Sequence, residues 1–571
     1  MRARHPTRIL IRLGFAAVAL FAAGSCQVTG DARPDRAERQ MVAAAHPLAA
    51  EVGRDVLRAG GAAVDAAIAA QLVLNLVEPQ SSGIGGGGFL LHYQAASGEI
   101  AAYDGRETAP AAATTGLFLK PDGEPMGFWE AAVGGRSVGV PGLLRMLELA
   151  HRAHGRLPWA TLFKPAIELA EKGFAVSPRL HELIARDKHL KTFPGPAGYF
   201  FDETGTARAV GSVRKNPAFA KTLRRIAREG ADALYRGPIA AEIVATVRGA
   251  AKNPGRLSLE DLAGYRAKRR EPLCGPYRAW RVCGMGPPTS GGVAVLQILG
   301  ILEHFDLAAF EPNAAGAVHL IAEASRLAFA DRNRFLADAD FVDVPVARLL
   351  DPAYLKRRAG FISPDSSLGK AEPGLPAQQA PAPDRPEPPS TSHLVVIDAA
   401  GNAVSMTSSI ESAFGSRLMA GGFLLNNQLT DFSFRPEVAG RTVANRVEPG
   451  KRPRSSMAPS LVLDRRGRLV MAIGSPGGSR IIGYVVKALV ASLDWGLDIQ
   501  AAIDLPNAVN RNGPTDVEED TAAARLAPRL EALGHEVRVR KLTSGLHGIA
   551  VTPAGLVGGA DPRREGVALG D

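Results

Sequence analysis

Cysteine is nearly absent: the 571-residue chain has 3, at positions 26, 274 and 283. That scarcity excludes a disulfide scaffold, and it leaves no thiolate metal centre, because two thiols with no histidine nearby give a metal too few ligands. Aromatic residues make up 6% of the chain, and no dense Lys/Arg run is interleaved with them, so a nucleic-acid surface is not expected. The formal net charge of +10 is spread along the whole length and reads as solvated surface. Beyond residue 26 no apolar stretch is long enough to span a membrane. Internal repeats are not apparent. With 46% hydrophobic residues, the chain is instead long enough to bury a large globular core.

What is present begins with the leader, MRARHPTRILIRLGFAAVALFAAGSC. Four arginines precede the apolar run Leu13–Ala23, and small residues precede Cys26. Residues 1–26 read as an export signal, too short for a comfortable transmembrane helix. The small residues before Cys26 also resemble a bacterial lipoprotein box, although Ala23 stands where leucine is usual. Two readings therefore stand, a plain signal peptide or one with Cys26 lipidated. The expected location is the periplasm or another exported site, with membrane contact only through such an anchor. Cys274 and Cys283 flank GPYRAWRV, which reads as two short strands joined by a turn, where an oxidising compartment permits a cross-strand disulfide.

The pattern divides the remainder into a body over residues 27–362, a tether over 363–390 and a final section over 391–571. His46 to Leu76 carries apolar residues at helical spacing broken at Gly60-Gly61, which predicts two packed helices. FLLHYQ and EIAAYDG predict a hairpin that leaves Arg106 just past a strand end. Pro141 is expected in the first turn of the helix PGLLRMLELAHRAHG, and Ser258 with Asp261 forms a capping box. Two long apolar helices follow, in GGVAVLQILGILEHF and AAGAVHLIAEASRLAFADRNRF. Ser363 to Ser390 is rich in Pro, Ala and charge without period, as an exposed, extended tether is. TSHLVVID and AVSMTSSI then predict a hairpin whose first strand starts at Thr391.

Two motifs invite other chemistries. Gly83-x-Gly85-x-x-Gly88 matches a dinucleotide fingerprint as a string, but a helix precedes it and a strand follows, the reverse of what that fingerprint needs. Gly135-Arg136-Ser137-Val138-Gly139 matches the nucleophile elbow of serine hydrolases, yet GFWEAAVGG before it is not strand-like, and a structural turn is the simpler reading. Thr391 is different. A threonine hydroxyl is a poor nucleophile without a base, and a newly exposed N-terminus supplies one in the same residue, an α-amine whose ordinary pKa is near 8. A tether ending at the first residue of a strand suits that chemistry.

The ordered motifs SSGIGGGGFLL, YDGRETAPA, GVPG, PPTSGG, TSHLVVIDAAGNAV, FGS, LLNNQLTDFS, GKRPRSSMAPS, GSPGGSRI and GGADPRREG resemble the γ-glutamyltransferase family of N-terminal-nucleophile hydrolases. Only the leader and the tether are unmatched. The resemblance implies an α+β fold, a four-layer αββα sandwich shared by a large and a small chain cut from one precursor between Ser390 and Thr391. The small chain would then run from Thr391 to Asp571 and weigh about 19 kDa by proportion. It implies Thr391 as nucleophile, Ser409 beside it where the family usually has threonine, and Gly477 and Gly478 as the oxyanion hole. Arg106, Ser455 and Ser456 correspond to groups that hold a substrate α-carboxylate; Gln428 and Asp431 correspond to groups that meet its α-amine. Glu411 departs from the asparagine of familiar members, and Phe434 to Gly450 looks shorter than the family's lid.

The expected reaction is hydrolysis or transfer of γ-glutamyl amides such as glutathione, through an acyl-enzyme resolved by water or an acceptor amine, with no metal or cofactor. Within the same fold, an acylase for glutaryl or cephalosporin-type amides is the alternative that Glu411 keeps open. An uncut, inactive binding protein is the reading from another class; loss of Thr391 or of Gly477-Gly478 would mark it, and neither is lost.

Overall fold

The computed structural model describes residues 35–376, 378–382 and 390–571, all within one unit that spans Pro34–Asp571. The leader, with its export signal and Cys26, lies outside the described residues, as does part of the tether. Among the described residues no helix is long and apolar enough to cross a membrane.

Two seven-stranded sheets, antiparallel throughout, form the middle of the molecule. One runs in the order Pro272–Tyr277, Trp280–Met285, Ser460–Leu463, Leu469–Gly474, His547–Thr552, Gly555–Ala560, Asp35–Ala37. The other runs Lys268–Arg270, Glu99–Asp104, Gly87–Gln94, Ala403–Ser409, Ser392–Ile397, Met41–Ala44, Val567–Gly570. Strand Ser392–Ile397 is buried at every position, and the two-residue period explains how. Leu394 and Val396 join the core beneath helices Pro47–Arg58 and Ala63–Val77, whereas Val395 and Ile397 join the core shared with the facing sheet. Helices Gly291–Leu302, Ala315–Phe335 and Ile481–Leu493 cover that sheet's other face. The architecture is α+β, an αββα sandwich. Helix Ala63–Val77 is buried along its whole length, which its nearly unbroken apolar sequence permits.

Most predicted elements are present, with three differences. The helix after Pro141 is Leu143–His154 and is capped by Gly142. The amides of Gly142 and Leu143 both donate to the carbonyl of Gly86, so the helix starts two residues later and Pro141 stands outside it. The strand expected from Thr391 begins at Ser392. The first part of the tether is not exposed chain: Leu368, Ala371 and Gly374 donate backbone amides to Glu323, Asn512 and Asp331, and Ala371 and Leu375 are buried. Its few apolar residues were enough to dock it. Cys274 and Cys283 face each other across neighbouring strands and are joined as a disulfide.

Candidate active site

Strand register places the central pair. Ser392 lies opposite Ser408 and His393 opposite Thr407, so Thr391, one residue further, comes opposite Ser409 on the side facing the other sheet. Their hydroxyl oxygens are 3.0 Å apart. Ser409 Oγ also accepts from the amide of Glu411 at 2.9 Å, which leaves the Ser409 proton available to Thr391. The surroundings of the Ser390–Thr391 peptide bond are polarised. The amide of Gly477 donates to the carbonyl of Ser390 at 3.1 Å, and Arg564 Nη1 donates to the carbonyl of Thr391 at 3.0 Å. Thr391 itself has φ +86°, a left-handed conformation that costs a β-branched residue on the order of 1–3 kcal/mol.

Gly477 and Gly478 occupy the turn that opens into helix Ile481–Leu493, with φ +135° and +61°. A β-carbon on Gly477 would stand 2.6 Å from the ring of Tyr484, so both conformation and space require glycine there. An amide at this helix N-terminus aimed at a carbonyl oxygen is the geometry that stabilises an oxyanion.

Thr391 and Ser409 line a small pocket together with Arg106, Glu411, Gln428, Asp431, Arg454, Ser455, Ser456 and Gly478. Of the residues that the sequence pointed to around Thr391, only Ser390 and Gly477 do not line this pocket, and those two are joined by the hydrogen bond beside it. Arg106 is fully buried and gives hydrogen bonds to the carbonyls of Pro453 and Arg454, each at 3.1 Å, and to the Asp431 carboxylate. Gln428 Nε2 donates to the same carboxylate at 2.9 Å, while its buried Oε1 has no hydrogen-bond partner among the described residues. Asn427 Nδ2 donates to Glu411. Ser456 Oγ accepts from Arg332 Nη2 at 2.6 Å, and the carbonyl of Ser455 accepts from the Ser290 hydroxyl at 2.6 Å; the PPTSGG segment thus buttresses the serine pair. Glu107, buried against Arg106 with 3.6 Å between charged atoms, has its carboxyl pushed up to about 8 by burial, which the guanidinium only partly opposes.

The two rival motifs are structural. Ser137 is buried and spends its hydroxyl proton on the carbonyl of Ala132 at 2.7 Å. A β-carbon on Gly85 would run into the carbonyl of Leu424, so that glycine serves backbone packing. Sequence reasoning missed Asn427 and Arg564. Both lie inside quoted motifs, but their roles depend on partners far away in sequence. Arg564 is buried, and burial brings its guanidinium down to about 9 despite Glu78 nearby.

The chain resembles known proteins over most of its length. A family model described as Gamma-glutamyltranspeptidase matches residues 49–571. The glutathione hydrolase proenzyme of Bacillus subtilis (strain 168) is 36% identical, covering 93% of this chain and 91% of that protein. Cephalosporin acylase from Bacillus halodurans superposes with a TM-score of 0.83 at 29% identity, over 97% of this chain and 99% of that one. Helicobacter pylori gamma-glutamyltranspeptidase gives 0.55 at 38% identity, over 58% of this chain and 94% of that one. By this match, over nearly the whole length, the chain belongs to the gamma-glutamyltranspeptidase family.

Proposed function

We propose that the chain is a self-processing γ-glutamyl amide hydrolase or transferase acting on glutathione and related compounds, with Thr391 as nucleophile. Thr391 Oγ attacks the carbonyl carbon of Ser390, whose oxygen already accepts from Gly477. The ester C–O bond forms as the C–N bond breaks, the nitrogen takes the hydroxyl's proton and becomes the free Thr391 amine, and water then cleaves the ester to leave a Ser390 carboxylate and restore the Thr391 hydroxyl. Strain at Thr391 favours that shift because the peptide is relieved as it reacts. The same hydroxyl, with its own amine as base and Gly477 and Gly478 as oxyanion donors, then attacks a substrate amide. The acyl-enzyme passes its group to water or to an acceptor amine.

The observation that carries the substrate reading is the pairing of Arg106 with Asp431 beside Thr391. A γ-glutamyl group ends in an amino-acid zwitterion. Its carboxylate replaces Asp431 on Arg106, with the hydroxyls of Ser455 and Ser456 beside it. Its ammonium then takes Asp431, the unpartnered Gln428 Oε1 and Glu411, so one buried ion pair becomes two. The acylase reading is favoured by the cephalosporin acylase superposition, but a glutaryl group has no ammonium to offer these carboxylates. Initial rates on γ-glutamyl and glutaryl anilides at equal concentration test the choice. The proposal requires the γ-glutamyl compound to be faster by more than about tenfold, roughly one charged hydrogen bond; a faster glutaryl compound would establish the acylase. Export is part of the same proposal and rests on the leader sequence alone, which fits either a plain signal peptide or one with Cys26 lipidated.

A further inference from the structure

Far from Thr391 in sequence, three metal-ligand side chains meet in a buried cluster. His319 and Glu323 are one helical turn apart on Ala315–Phe335, and His535 comes from the segment between helix Ala527–Ala532 and strand Val537–Arg540. Their ligand atoms all lie within 4.8 Å of one another, and each residue is at most 4% exposed. His319 Nδ1 and His535 Nε2 are 2.7 Å apart, and His535 Nε2 is 3.8 Å from Glu323 Oε1.

The outer nitrogens fix how the rings present themselves. His319 Nε2 faces the carbonyl of Ser363 at 2.8 Å and must donate to it, so Nδ1 presents a lone pair to the cluster. His535 Nδ1 is 2.9 Å from Thr515 Oγ1, which can receive a proton from it. In that tautomer His535 Nε2 also presents a lone pair to the same point. Histidines that ligate metals are held in this way, each giving its second N–H to an oxygen. Glu323 is oriented by the amide of Leu368 at 2.9 Å, Ser367 Oγ at 2.8 Å and Arg326 Nε at 3.1 Å.

We propose that His319, Glu323 and His535 form a structural site for a divalent metal of the zinc class. Two imidazoles and one carboxylate suit zinc, and tetrahedral bonds of about 2.0–2.1 Å set ligand atoms roughly 3.3 Å apart. The nitrogen pair therefore opens by about 0.6 Å and the Nε2–Oε1 pair closes by about 0.5 Å, both within reach of side-chain rotation. Ser367 Oγ or a water supplies the fourth oxygen. The ion takes the place of the hydrogen bond between the rings, and the His535 proton moves to Nδ1, so charge is carried in by the metal with no proton released. The site joins the section before residue 363 to the section after Thr391, and it secures the start of the tether through Ser363, Ser367 and Leu368. If the chain is cut at Thr391 as proposed above, the metal bridges the two products; the site itself does not depend on that cut.

Because the cluster is buried, metal enters as the chain folds. The test is therefore the metal content of untagged full-length protein made in zinc-supplemented medium, measured by mass spectrometry for all first-row metals. The expected result is about one zinc per chain, falling at least tenfold in His319→Gln and His535→Gln, with a lower thermal midpoint for wild type folded under chelation. X-ray absorption on wild type, which needs no variant to fold, should show nitrogen and oxygen neighbours and no sulfur. Absence of any stoichiometric metal, sulfur in the coordination shell, or unchanged zinc in folded His535→Gln overturns the proposal.

Discussion

Thr391 is exceptional in conformation before it is exceptional in chemistry. Its φ of +86° is shared by few non-glycine residues of the chain, and Glu411, also in the pocket, is another at +78°. Such strain persists only where surrounding contacts overdetermine it, and here the flanking carbonyls are held by Gly477 and Arg564. Ser409 is the adjacent control. Ser409→Ala removes the hydroxyl that meets Thr391 and leaves the Glu411 amide without its acceptor, whereas Ser409→Thr keeps both. Self-cleavage and anilide turnover should each slow by about 10²-fold in the alanine variant and recover within a few-fold in the threonine variant. Equal losses in both would mean that Ser409 contributes packing alone. The sequence pointed to Ser409 by motif position. That its hydroxyl lies 3.0 Å from Thr391 follows from strand register, which a linear motif does not display.

At the scale of elements, the site depends on a hairpin and two tight turns. Strand Ala403–Ser409 holds Ser409 between Ser392–Ile397 on one side and Gly87–Gln94 on the other, and the glycine run before Gly87 lets the Leu424 and Ser409 carbonyls approach closely. Gly85→Ala pushes a methyl into the Leu424 carbonyl, a backbone atom that cannot swing aside. Unfolding in urea should show a loss of about 1–3 kcal/mol, with self-cleavage slowed because the Ser409 strand moves. An unchanged midpoint would show that this turn relaxes freely. Helices and hairpins were legible in the sequence because apolar period and turn residues encode them locally. Pro141 was misplaced because the Gly86 carbonyl, a tertiary partner, decides where its helix starts. The tether was misjudged because low apolar content hid the few side chains that dock it.

For the whole molecule, burial of histidine between the two sheets and their helices sets a response to acid. His92 is brought down to about 3 and His547 to about 4, and His393 lies well below its ordinary value, each mainly by burial. These rings are neutral in the folded protein and take up protons in the unfolded chain below about pH 6.5. The unfolded state then binds more protons, so stability is fully present above pH 6.5 and is lost as pH falls toward 4, by up to about 1.4 kcal/mol per pH unit for each ring. Denaturant midpoints measured from pH 7 to 5 should fall, and more gently in His547→Gln; equal slopes would remove His547 from the account. The layered fold was anticipated through family resemblance, since alternating helices and hairpins allow several α+β arrangements. The buried histidines and the His319–Glu323–His535 cluster were not anticipated, because their partners come together only when the two sections of the chain pack.

In the mechanism we propose, Thr391 makes itself the N-terminus and then carries the acyl group. That mechanism is tested most directly by running leaderless wild type and Thr391→Ala on a denaturing gel, sequencing any small fragment, and assaying a γ-glutamyl anilide with the same preparations. Wild type should yield a fragment of about 19 kDa that begins Thr-Ser-His-Leu and should cleave the anilide, while Thr391→Ala should stay at full length and be inactive. A Thr391→Ala protein that still cut itself before residue 391 and still hydrolysed the anilide would contradict the account.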